Sequence, residues 1–94
     1  MKMLMIIVDS GCREELEVLF QRVGVTGYTE IPGVHGVGGT GIRMGSNAFP
    51  KTSSLFMTIV EANKVDELKE EMASYCSAYD RHMKMVQWGV EEIV

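Results

Sequence analysis

Residues 33–47 read GVHGVGGTGIRMGSN and hold six of the ten glycines in the chain. A backbone without Cβ atoms can bring its N–H groups against anionic oxygens and can take positive φ, so this stretch could bind an anion or change shape. It is neither a Walker A sequence nor a dinucleotide fingerprint: no Gly-Lys-[Ser/Thr] closes it, and a strand pattern, not a helix, follows. Its only arginine is Arg43. A solvated side chain is the expectation there, with pairing to a ligand phosphate as the other reading.

The remaining residues with chemistry to offer are scattered. Met3, Met5, Met83 and Met85 stand at strand spacing. Thioether sulfur suits a soft ion such as Cu(I), but methionine also fills irregular apolar contacts, and that reading is preferred. Cys12 falls at a helix start, Cys76 near the end of a helical stripe, and His82 just before a strand. None has a neighbour at metal-ligand spacing, so no metal site is expected, although His82 could contact a ligand. No Ser/His/Asp, Cys/His or carboxylate pair stands at a spacing that demands catalysis, so the protein is not expected to be an enzyme. The charge runs EELE and DELKEE read as solvated helix faces.

The bulk properties narrow the partners. With 94 residues, one domain over 1–94 is expected. A net charge of −4 and a pI near 5.1 argue against nucleic acid as a partner. The longest apolar run, Met3 to Val8, is too short to span a bilayer, so no direct membrane insertion is expected. Two cysteines without a CxxC motif fit a reduced, cytoplasmic setting.

The elements that must position the glycine stretch come from a repeat. IIVDSGCREEL (residues 6–16) and TIVEANKVDEL (residues 58–68) match at a constant offset of 52. Each copy runs from an apolar strand through a turn into a helix. The first helix carries a stripe of Cys12, Leu16, Leu19, Phe20 and Val23, stopped by Gly24. The second carries Val65, Leu68, Met72, Tyr75 and Tyr79, with Asn63 as its N-cap. A further strand follows each helix, VTGYTEI and then HMKMVQW. The fold class is therefore α+β: a ferredoxin-like βαββαβ sandwich, a four-stranded antiparallel sheet with two helices on one face. The glycine-rich stretch is the long loop between the second and third strands, with a mobile segment expected at about 34–52.

Alternation makes both faces of the first and third strands apolar. Two helices cover one face only, and a bare apolar face is unusual on a soluble monomer. The second face is expected to be buried between subunits, with Met3, Met5, Met57, Met83 and Met85 clustered there and Trp88 at a subunit contact.

VGVTGYT (residues 23–29) followed by HGVGG (residues 35–39) resembles the P-II signalling superfamily. Its members close the first helix with such a phrase and open a long T-loop with a basic residue and G-x-G. The resemblance implies a homotrimer with adenine nucleotides in clefts between subunits, and a T-loop that reports occupancy to a regulated partner, a transporter or an enzyme. It implies ligand contacts at Thr29, His35, Gly36, Val37 and Gly38, with His35 where a lysine is common, and partner contacts at Thr40, Arg43, Met44 and Asn47. The departures are specific. Thr40 replaces the glutamine that serves magnesium and 2-oxoglutarate, and no tyrosine stands within 40–53. YDRHMKM occupies the place of the second glycine-rich loop, and the arginine-bearing tail is missing. A shortened P-II-like regulator is therefore implied. The alternative is a trimer like the CutA-type divalent-cation tolerance family, which shares the fold and would bind metal through His35, His82, Cys76 or the methionines.

Overall fold

A computed structural model describes residues 1–39, 41–75 and 83–94. Strand β1 (Lys2–Asp9) runs through a single 3-10 turn into helix α1 (Arg13–Val23), then β2 (Thr29–Val34). Two short strands follow, β3 (Gly36–Gly38) and β4 (Gly41–Arg43), then β5 (Ser53–Val60), α2 (Ala62–Tyr75) and β6 (Met83–Gly89). The sheet order is β2-β5-β1-β6, antiparallel throughout. Each βαβ half thus leaves a gap one strand wide, and the other half fills it, as the repeat predicts. β3 and β4 pair only with each other in a separate hairpin.

Apolar periodicity accounts for the core. Leu16, Leu19, Phe20 and Val23 of α1 and Val65, Leu68 and Met72 of α2 are buried against Leu4, Ile6, Val8 and Phe56 of the central strands. Burial of one stripe per helix and one face of the sheet is what removes this apolar surface from water. Gly24 ends α1 at φ 80°, and the Val25 amide donates to the Phe20 carbonyl at 2.8 Å, satisfying an orphan acceptor of the last turn. Lys64 Nζ donates to the Val23 carbonyl at 2.6 Å, placing a cation at the negative end of α1. Two buried hydroxyls on the core side of β5 are also satisfied: Ser54 donates to Glu30 and Thr58 to the Gly27 carbonyl.

Three expectations are corrected. Met83 and Met85 lie opposite Val8 and Ile6 and pack against the core, so they do not share the open face with Met3, Met5 and Met57. Their parity is set by register with β1, which places Lys84, Val86 and Trp88 on the open face instead. Asn63 is not an N-cap, because α2 already begins at Ala62. Tyr75 leaves the core stripe: it is 59% exposed, with the Arg22 guanidinium 4.3 Å above its ring. Tyr79 and Cys76 lie outside the described residues.

The open face does carry the expected apolar row. Met3, Met5, Ile7, Leu55 and Met57 are half-buried, while Ile31, Ile59, Val86 and Trp88 are exposed.

Candidate functional site

The glycine stretch is built from its backbone. Near the end of β2, where its register with β5 shifts between Ile31 and Val34, the chain crosses Gly33 at φ 67° and then reaches His35, after which the hairpin pairs Gly36 with Arg43, Val37 with Ile42 and Gly38 with Gly41. Gly41 sits at φ 110°, a conformation that an L side chain rarely adopts. Beyond the hairpin, residues 44–51 form a turn closed by Met44 and Ser46 amides on the Phe49 carbonyl and by the Gly45 amide on the Lys51 carbonyl. Gly45 is tightly enclosed: a Cβ there would lie 3.1 Å from Thr52 Cγ2 and 3.2 Å from His35 Nε2.

The hairpin roofs a cavity of about 590 Å³ at one end of the open sheet face. Ile7 and Leu55 form its apolar floor; His35, Gly36, Val37, Gly38 and Gly41 form the roof; Arg43 and Lys84 are among its walls. No carboxylate stands among the described lining residues. The volume falls within the range of sites for organic ligands, and an apolar floor with a few polar groups is their usual composition.

Arg43 does not behave as expected: its side chain is buried, not solvated. Its Nη1 donates to Asp9 Oδ1 and, at 3.3 Å, to the Thr52 carbonyl. Asp9 also accepts from the Gly11 amide at 2.9 Å. Burial raises the Asp9 pKa, but the Arg43 hydrogen bond, the Gly11 amide and the charges of Arg43 and Lys51 outweigh it and hold the group below its ordinary 3.8. Next to this pair Ser10 and Thr52 share a hydroxyl–hydroxyl bond of 2.7 Å, and the Ser10 amide donates to the Thr52 carbonyl.

Of the residues singled out in the sequence, His35, Gly36, Val37, Gly38 and Arg43 come together around this cavity. Thr29 does not line it: it stands exposed on β2 opposite Met57. Met44 and Asn47 are exposed on the outer turn, and Thr40 and His82 lie outside the described residues. Among those that are described, no three of His, Cys, Asp and Glu come together as a metal site. Sequence reasoning missed Lys84, whose signal is one polar residue breaking the apolar run MKMV. It also missed Asp9, which has no local signal because its partner stands 34 residues away.

The model of the nitrogen regulatory protein P-II family matches residues 1–91, so the chain belongs to that family. Among solved structures it is similar to CPII, a nitrogen regulatory PII-like protein from Thiomonas intermedia K12, solved bound to ADP, AMP and bicarbonate. The identity is 24%, the TM-score is 0.70, and the match covers 95% of this chain and 88% of that one. A PII-like signalling protein from Thermus thermophilus is similar at 18% identity and TM-score 0.62, covering 93% and 81% of the two chains. These two likenesses carry the fold. No curated protein matches the chain.

Proposed function

We propose that this protein is a P-II-like regulator that senses a small ligand, an adenine nucleotide, and transmits its presence to a partner protein through the segment 34–52. The observation that carries this reading is the roofed cavity: glycine backbone on one side, apolar sheet on the other, and no carboxylate among the described lining residues. Such a lining suits a ligand with an anionic group and a flat apolar part. Membership of the P-II family and the ADP and AMP bound to the similar CPII support the same ligand class.

The assembly in this reading is a homotrimer in the cytoplasm, with the open sheet faces packed around its axis and the ligand in clefts between subunits. The apolar row on that face is the support for burial there. The switch works by differential affinity: the ligand binds the ordered glycine segment better than its open forms and so shifts their populations. His35, Gly36, Val37 and Gly38 contact the ligand, and Thr29, outside the cavity lining on β2, meets the part of it that extends beyond the cavity into the cleft between subunits. Met44 and Asn47, exposed on the outer turn, meet the partner, a transporter or an enzyme, and Thr40 is a further partner contact in this reading.

Calorimetry with ADP, AMP, ATP and bicarbonate, paired with limited trypsin digestion, tests this. A nucleotide should release or absorb heat on binding and slow cleavage at Lys51, which is exposed in the turn. No heat from any ligand together with unchanged cleavage would overturn the reading.

A further inference from the structure

We infer that Asp9 and Arg43 are positioning residues for the ligand-binding hairpin: their ion pair fixes the glycine amides over the sheet floor. Only part of this rests on the nucleotide reading above, since the placement of the hairpin can be measured without ligand.

The hairpin has little else to hold it. β3 and β4 hydrogen-bond to each other and to no strand of the main sheet. Four of the residues in and between them are glycine, Gly36, Gly38, Gly39 and Gly41, and a Cβ built on any of these meets nothing within 4 Å. Two-stranded ribbons of this kind are marginal on their own in water. Arg43 closes the ladder opposite Gly36, and its side chain is 8% exposed. From there it reaches Asp9 at the end of β1 and the Thr52 carbonyl just before β5. The anchor is itself hydrogen-bonded. Asp9 is fixed by the Gly11 amide, and Thr52 by the Ser10 amide and hydroxyl. Arg43 is buried and Asp9 half-buried, with one carboxylate oxygen held by the guanidinium and the other by the Gly11 amide; a charge pair held in this way defines one geometry and is costly to break from one side. The same two residues therefore connect the ligand roof to the β1–α1 junction and to the cavity wall.

Asp9→Asn is the test, because it keeps the shape of the side chain and removes its charge. In the ligand-free protein, amide hydrogen exchange of residues 36–38 and 41–43 should speed up about tenfold or more, while the central-strand amides of Ile6 and Phe56 stay unchanged. Asp9→Glu, which restores the charge, should recover part of the protection. ADP affinity measured by calorimetry should fall about tenfold in Asp9→Asn. Unchanged exchange in the hairpin would overturn the inference, and so would equal acceleration in hairpin and central strands, because the pair would then be a general stabiliser. A wild-type protein that binds ADP with an Asp9→Asn variant that binds it equally well would also overturn it. A wild-type protein that binds no nucleotide removes the ligand reading instead, and the exchange result then decides on the positioning role alone.

Discussion

Glu30 shows how much a single side chain can tie together. Its carboxylate takes a two-pronged bond from Arg13, with Nε and Nη2 both at 2.6 Å, and accepts the buried Ser54 hydroxyl at 3.0 Å. The start of α1, β2 and β5 thus meet at one charge. The Arg13 hydrogen bonds lower the Glu30 pKa from its ordinary 4.5, outweighing the burial that raises it, with Ser54 assisting. A carboxyl lowered on folding stabilises the protein above its unfolded pKa and loses that contribution as the pH falls through its folded value. Unfolding midpoints should therefore drop as the pH falls below about 4.5 and on through the lowered folded value, and Glu30→Gln should flatten that part of the curve while lowering stability at neutral pH. A Glu30→Gln protein with the wild-type slope would show that other carboxyls govern acid unfolding. Residues were also where the sequence was hardest to read. Arg43 reads as a loop arginine until its partner is known, and nothing local links it to Asp9. Met83 and Met85 alternate correctly, but alternation alone cannot say which parity faces the helices; only pairing with β1 decides that.

At the scale of elements the sequence was far more informative. The 52-residue repeat, the two helical stripes and the Gly24 stop were enough to order the strands and helices, because each depends on a short-range pattern. The contacts that join elements were not visible. Lys64 lies on the exposed-looking edge of α2, yet it caps α1 through the Val23 carbonyl. Lys64→Met should cost about 1 kcal/mol by removing a charge-assisted bond to an otherwise orphaned carbonyl. Urea unfolding would measure it, with Lys69→Met on the exposed side of the same helix as a control near zero. Equal effects from both would mean that the cost is helix charge, not capping. The glycine hairpin also went unread as an element: its glycines signal freedom of backbone, and the ladder they form depends on Arg43 being held from outside.

For the whole molecule the governing feature is the second sheet face. Met57 sits at its middle, half-buried and opposite both Met5 and Thr29. If subunits pack through this face, a charge placed there must be desolvated without a partner, which costs several kcal/mol. Met57→Arg should therefore give a smaller particle by light scattering with an unchanged circular dichroism spectrum. The same mass as wild type would move the assembly surface elsewhere. The apolar row on this face was legible in the sequence from the two-sided strands. The direction of the cavity was not legible, because it needs the hairpin to fold back over Ile7 and Leu55, and that is set by Arg43.

The pairing of Met5 with Met57 has one more consequence. These residues are also equivalent in the internal repeat, so an approximate dyad passes between them, and each half supplies the strand that the other lacks. Neither half contains a continuous sheet alone. The chain is interlocked in the manner of two clasped hands. Every pair of neighbouring strands in the sheet joins one half to the other, so a single backbone cut in the glycine hairpin should leave two fragments that co-elute as one particle on gel filtration; separation of the two would show that the covalent link is needed.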